Sequence, residues 1–273
     1  MKTKLSGNMF WILTILALTI SPGISQAEEP GRYDKDTVFS FHFNEGGGKD
    51  VTDSSGNENH GILGGGELPD WVEGPEERFG TALEFFDCNH VEIPMSPELD
   101  TEDEITFETW ININSLTASW STIYSKNSQS NGMGFHWIYI NQNGSLSYQY
   151  ANGNNYVALS APIDWEFGNW LHLAITHKID GDDGGVVKYY VNGEQIHEAE
   201  HADKAFQVIG GKASLGTYQS MIAVDRYALD GMLDEVRLSP RVKTDAEIRE
   251  SMKALAVKFE EKLVDMWGRI KTY

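Results

Sequence analysis

Two stretches of this chain carry side chains spaced for catalysis. His197, Glu198 and His201 spell HExxH, in which two imidazoles one helical turn apart hold zinc and the glutamate serves as general base. The spacing fits but the context does not, because the segment leaves Asn192-Gly193, the strongest short hairpin signal in the chain. On a returning strand, residues four apart lie ~13 Å from one another, too far for two nitrogens that must each approach zinc at about 2 Å. An exposed polar strand is expected, not a metallopeptidase. Glu98, Asp100 and Glu102 imitate three alternating carboxylates on one strand, which could set nucleophile and acid across a glycosidic bond. Pro97 precedes them and Asp103 and Glu104 extend the charge run, so a solvated connection is expected there. The glycines at 64–66 have no Lys-Ser partner and make no phosphate loop. His172 and His177, an odd number apart, face opposite sides of any strand and form no ligand pair.

The elements that would position these groups are strands. Period-two alternation recurs in Phe39, Phe41 and Phe43, in Ile105, Phe107, Ile111 and Ile113 around Thr109, and in Leu171, Leu173 and Ile175. Phe135, Trp137 and Tyr139 precede an Asn143-Gly144 turn, and Leu146, Tyr148 and Tyr150 follow it, which predicts a hairpin. Val187, Tyr189 and Val191 lead into Asn192-Gly193, and strands near 213–217 and 231–238 complete the series. Helical signals wait until Thr244-Asp245-Ala246-Glu247, a capping box. Many strands without alternating helices favour a two-sheet antiparallel jelly-roll sandwich, an all-β fold with a C-terminal helix.

Lys2 and Lys4, the apolar run Met9 to Ile20 and the small-residue stretch ending at Ala27 predict an export signal over 1–27, the apolar run being too short to favour a membrane span. A lead over 28–36, a sandwich over 37–254 and a helical tail over 255–273 complete the expected organisation. Losing Lys2 and Lys4 takes the formal charge from −20 to −22. Such a surface repels phosphate backbones, so nucleic acid is not an expected partner, and it attracts divalent cations. Cys88 is the lone cysteine and is expected as a small buried hydrophobe. In the tail, Leu255, Phe259, Leu263, Met266 and Ile270 fall at helical spacing; the stripe fits partner docking or packing on its own sandwich.

Taken in order, FHFNEGGG, DSSGNENHG, FGTALEF, DEITFETWI, WLHLAITHKIDG, KYYVNGE and GMLDEVRLSPRVKTDAEI make residues 37 to about 250 resemble the laminin-G-like jelly rolls of the concanavalin A-like lectin and glucanase superfamily. The resemblance implies two packed antiparallel sheets, a noncatalytic duty in extracellular recognition or adhesion, and a calcium ion near the sheet edge. It places the protein outside the cytoplasm, secreted or at the cell envelope. Calcium takes six to eight hard oxygens. Asp53 and Asn57 are the expected ligands from the early loop, the family pattern adds Asp234, and Glu45 is a fourth. The alternative is that Asp53 and Asn57 form Asx turns and that Asp234 pairs with an arginine such as Arg237. A glycan ligand needs exposed rings beside amides. Trp120, Tyr156 and Trp165 stand in polar loop contexts with Asn154 and Asn155 nearby, and they are the expected contacts for an extracellular glycan or protein.

Overall fold

The computed structural model describes residues 36–101, 103–127, 134–152, 155–203, 210–219 and 222–254. The expected signal over 1–27 and the tail over 255–273 lie outside them.

The first sheet runs, edge to edge, through β14 (Glu194–His201), β13 (Gly185–Val191), β12 (Trp170–Ile179), β7 (Glu104–Ile113), β16 (Gly231–Ser239), β5 (Thr81–Phe85) and β4 (Asp70–Glu73). The free side of β16 is shared: β5 pairs with Gly231–Leu233, while β1 (Phe39–Phe41) pairs with Val236–Leu238. The second sheet runs β11 (Asn155–Pro162), β10 (Ser145–Asn152), β9 (Gly134–Asn141), β8 (Trp120–Asn127), β15 (Ala213–Leu215), β6 (His90–Ile93), β3 (Gly61–Gly64) and β2 (Asp50–Val51). All pairings within both sheets are antiparallel. This is the expected sandwich.

Alternation fixes which side chains enter the core. Phe107, Ile111, Leu171, Leu173, Ile175, Leu233 and Val236 from the first sheet meet Ile123, Tyr124, Ile138, Ile140, Tyr148 and Tyr150 from the second. The hairpin turns follow their sequence signals: Asn192 and Gly193 both take positive φ, and Gly144 does so in the β9–β10 turn. Cys88 is buried, and its thiol, donating to Asp225 Oδ1, is pushed up to about 11 by burial and then by that carboxylate.

One bulge reorganises the outer face of the first sheet. Asp234 opposes Trp110 and Arg237 opposes Glu108, so β16 has one residue more than β7 between these pairs, and Glu235 takes φ 51°. The extra residue keeps Leu233, Val236 and Leu238 in the core, while Asp234, Glu235 and Arg237 all turn outward. There Arg237 bonds Glu235 at 3.0 Å and Ser40 Oγ at 3.2 Å, and Glu235 also meets His42 Nδ1 at 2.6 Å. Beside them, buried Glu108 holds Lys243 Nζ and Ser251 Oγ. Burial pushes the Glu108 carboxyl up, but the charges of Lys243, His172 and Arg237 outweigh it and hold the group below the usual carboxylate value.

Helix α1 (Asp245–Ala254) closes this face. Thr244 and Glu247 cap its start reciprocally, Thr244 N–H reaching Glu247 Oε2 at 2.8 Å and Glu247 N–H reaching Thr244 Oγ1 at 3.3 Å, as the capping box predicts. Ile248 packs on Ala174 and Tyr190. No helix among the described residues is long and apolar enough to cross a membrane.

Candidate functional site

The outer face of the second sheet is where rings and polar groups meet away from the core. Register places Ala158, Gln149 and Trp137 in one row across β11, β10 and β9, and Ser160, Ser147 and Tyr139 in the next. Large rings on β9 thus stand beside small side chains on β10 and β11, making a step whose aromatic wall, Trp137 and Tyr139, is 8% and 6% exposed, beside a polar floor in which Ser147 is buried. The floor is tied together: Asn141 Nδ2 donates to Ser145 Oγ at 2.9 Å and to Ser147 Oγ at 2.7 Å, and Ser147 and Ser160 hydroxyls lie 2.6 Å apart. Ala158 and Ser160 are exposed, so the shelf opens to solvent.

The wall is a second aromatic cluster. Trp137, Tyr139, Tyr218 and Tyr227 pack together, with half-buried Trp120 against them. Trp137 and Tyr139 stack at 4.0 Å, Trp120 stacks on Tyr227 at 5.5 Å, and the Arg226 guanidinium lies 5.0 Å from the Tyr227 ring centroid. Trp137 Nε1 donates to Thr122 Oγ1 at 3.0 Å, which fixes the indole. Burial raises the Tyr139 phenol, with the Ser147 hydrogen bond opposing, so it stays a neutral donor.

Of the expected ligand-contacting residues, Trp120 and Tyr156 share this outer face but not the loop contexts read from sequence. Trp120 opens β8, and Tyr156, 40% exposed, sits in edge strand β11 opposite Ala151. Polar neighbours had hidden two strands. Trp165 does lie outside a strand, but it packs against the core and donates from Nε1 to Gly144 O at 2.6 Å, bracing the β9–β10 turn. Asn154 lies outside the described residues, and of Asn155 only the β11 backbone is described. Trp137, Tyr139, Ser147 and Ser160 escaped the sequence reading: alternation grouped the first two, but no local signal told core face from solvent face.

The early turn does not lie directly against the closing strand, because β1 runs between them. Phe41 bridges to Asp53 on one side and pairs with Val236 on the other. Asp53 is buried and spends both oxygens on β1 and its own loop: Oδ1 accepts Ser40 and Ser55 N–H at 2.9 Å each, and Oδ2 accepts Ser55 Oγ at 2.7 Å and Asn59 N–H at 3.0 Å. Asn57 Nδ2 donates to Thr37 O at 2.6 Å, and Glu45 Oε1 accepts Thr52 N–H at 2.7 Å. The Asx-turn alternative describes Asp53 and its loop here. Asp234 differs. Its Oδ1 accepts Glu235 N–H at 2.7 Å, while Oδ2 is buried without a partner. Burial, and then the Glu235 charge, hold this carboxyl well above the usual carboxylate value. A side chain on Gly74 would put Cβ 3.0 Å from Oδ2, so that glycine leaves the oxygen a cradle, which the Gly80 carbonyl borders. Among the described residues no three His, Cys, Asp or Glu groups converge to hold a metal.

The two catalytic look-alikes resolve as expected from context. His197 and His201 lie in strand β14, not on a helix. Glu98 sits in a single turn of 3₁₀ helix, Pro97–Leu99, Asp100 pairs with Lys126, and Glu102 lies outside the described residues. Strand alternation therefore does not align Glu98 with Asp100. His172 faces the outer side beside Trp110, while His177 faces the core beside Tyr148.

A laminin-G-type family model, described as concanavalin A-like lectin/glucanases superfamily, matches residues 87–249. No curated protein matches the sequence. The receptor binding domain of botulinum neurotoxin mosaic serotype C/D is similar at TM-score 0.61 and 15% identity, over 81% of this chain and 51% of that one. Domain 4 of AbnA, an extracellular arabinanase from Geobacillus stearothermophilus solved with arabinotriose, is similar at TM-score 0.58 and 20% identity, over 81% of this chain and 98% of that one. A structure of botulinum neurotoxin type C, whose cell entry depends on interaction with two ganglioside molecules, is similar at TM-score 0.58 and 14% identity, over 82% and 52%. The chain spans about half the length of these neurotoxin structures. At such identities the likeness shows the fold alone.

Proposed function

Because the chain belongs to the laminin-G-like family of the concanavalin A-like lectin/glucanases superfamily, we propose that it is an exported, noncatalytic recognition module that binds glycan on the outer face of its second sheet. The observation that carries this reading is one outer face on which half-buried Trp120 and exposed Tyr156 flank the exposed Ala158 and Ser160, with the Trp137–Tyr139 stack behind them. A pyranose or furanose ring presents an apolar C–H face, which rests against an aromatic ring, and a rim of hydroxyls, which exchange hydrogen bonds with serine and amide groups. Trp120 and exposed Tyr156 extend the face in two directions, giving room for an oligosaccharide rather than one sugar. The arabinotriose-bound arabinanase domain and the ganglioside-dependent neurotoxin support a glycan ligand among proteins of this fold. A protein ligand remains the alternative occupant of the same face.

Calcium is part of the proposal, centred on Asp234. Its unpartnered buried oxygen beside the Gly74 cradle suits a hard cation, which the Gly80 carbonyl and water would help to hold. The cation would supply charge compensation and cross-linking, not chemistry. Asp53, Asn57 and Glu45 would then serve by holding the early loop against β1, beside β16. Export rests on the 1–27 signal pattern, which places the module outside the cell or at its envelope.

The test is a glycan panel containing arabino-oligosaccharides and gangliosides, read with the full chain and with Trp120→Ala and Tyr156→Ala. Saturable binding that weakens tenfold or more in either variant supports the site. Equal binding by all three proteins removes it from this face.

A further inference from the structure

Beneath the proposed binding floor, the inner side chains of β9 and β10 join a line of histidines through the core. Asp203 N–H donates to His201 Nδ1 at 3.2 Å, His201 Nε2 meets His177 Nε2 at 2.7 Å, and His177 Nδ1 meets Tyr148 OH at 3.2 Å. Tyr148 OH then meets His136 Nδ1 at 2.7 Å, and His136 Nε2 meets Thr101 Oγ1 at 3.1 Å. Because the backbone N–H must donate, His201 Nδ1 is an acceptor and its neutral ring carries hydrogen on Nε2. His177 then carries hydrogen on Nδ1, and giving the Tyr148 hydroxyl an acceptor makes it donate onward to His136 Nδ1, so that His136 carries hydrogen on Nε2. The chain runs one way, with every ring neutral.

We propose that this chain is an acid-sensitive latch that holds β9 and β10 against the first sheet and releases bound glycan when it is protonated. The inference rests on the binding reading above, and adds its regulation. Tyr148 and Tyr150 lie on the core side of β10, whose outer side carries Ser147 and Gln149; His136 precedes Trp137 on β9. His201 reaches the surface at a cavity of about 500 Å³, lined also by Lys178, Asp180, Asp183 and Glu200, and Gly185 lets its ring pass inward. A proton arriving there enters His201 Nδ1, breaks the Asp203 N–H bond and faces the Asp203 carboxylate 3.7 Å away, which Tyr150 OH also engages. A second proton on His177 would set two N–H groups head to head, so the rings must part and Tyr148 loses its partner.

The other groups facing the line are Lys126, held by Asp100 near His136, and the phenols Tyr124 and Tyr189. These three side chains are a cation and two phenols, which do not offset a positive charge on the rings. Burial, and then the neighbouring charges, accordingly lower His136 well below its usual value, and burial with His201 takes His177 to about 2. Local opening that wets such a ring takes up a proton, so between pH 7.5 and 5 it becomes more favourable by roughly 30-fold per histidine released.

The experiment uses the full chain labelled with nitrogen-15. Imidazole spectra at pH 7.5 should show hydrogen on His201 Nε2, His177 Nδ1 and His136 Nε2. Hydrogen exchange at pH 5, corrected for intrinsic rates, should show protection of β9 and β10 falling at least tenfold more than that of β7 and β16. His201→Gln should reduce that difference to twofold or less. Arabinotriose, and phosphatidylcholine vesicles carrying gangliosides, serve as glycan probes, and whichever binds at pH 7.5 should lose tenfold or more of its affinity at pH 5. Reversed tautomers, uniform protection across both sheets, an unchanged acid response in His201→Gln or pH-independent glycan affinity overturns the latch. Absence of both probes' binding at pH 7.5 counts against the glycan reading, while spectra and exchange still decide the latch.

Discussion

Replacing Lys243 by methionine should uncover what the buried charge beneath α1 contributes. Glu108 is fully buried, and its oxygens are taken by Lys243 and Ser251, with His172 Nε2 at 3.9 Å. Methionine keeps the apolar stem of Lys243 but leaves a carboxylate uncompensated in the interior, a change that costs about 3–5 kcal/mol. For a domain of this size that is on the order of 2–4 °C of midpoint per kcal/mol. The pH dependence makes the reasoning sharper. In the wild type the Glu108 pKa is depressed, so its contribution is complete above the unfolded carboxylate value and is lost only as pH falls through the lower folded value. In Lys243→Met the folded value is raised instead, and the variant regains stability on acidification by up to ~1.4 kcal/mol per pH unit below that value. Urea unfolding of both proteins at pH 7.5 and pH 5.5 should therefore give a gap that narrows with acid. A gap under about 1 kcal/mol, or one that does not change with pH, would refute the account of this cluster.

Global stability should fall on the acid side of neutrality. Burial takes His172 to about 4 and His177 to about 2, so both fold neutral; their contribution is complete above the unfolded value and is lost as pH falls below it. Unfolding in the Asp234→Asn background, which removes a carboxyl acting in the opposite sense, should show a slope approaching 1.4 kcal/mol per pH unit for each of these histidines between about pH 6 and 4.5, and a flat profile would contradict it. Calcium should raise the calorimetric midpoint over chelator, by ~2.7 kcal/mol of stability at a hundredfold excess over the dissociation constant, and Asp234→Asn should abolish the difference. Identical wild-type midpoints would remove the cation.

Much of the fold was legible because two-residue alternation and Asn-Gly turns are local signals. Phe39 to Phe43, Leu171 to Ile175 and the hairpin at Asn192-Gly193 needed no long-range information, and Thr244 with Glu247 announced the helix. The conflict at HExxH was also resolvable locally, since the hairpin fixed a strand. The outward turn of Asp234, Glu235 and Arg237 was not, because the bulge exists only relative to β7. Nor could sequence join His201 to His177, 24 residues apart, or tell that Trp137 lies on the outer face, within its own aromatic cluster, while Tyr148 lies on the core face. Faces are set by which sheet lies opposite. The expected ligand rings shared this fate: Trp120 and Tyr156, expected in loops, lie in strands, because serines and asparagines around them disguised β8 and β11.

The central claim is that glycan lies on the β9–β11 shelf, and filling that shelf tests it most directly. Ala158 is exposed and stands in the row of Gln149 and Trp137, so Ala158→Trp occupies the floor without touching the core. Titration calorimetry with the panel glycan bound by wild type, alongside circular dichroism, should show binding lost at least tenfold while the folded spectrum and midpoint are retained. Undiminished affinity in the folded Ala158→Trp protein would contradict the account.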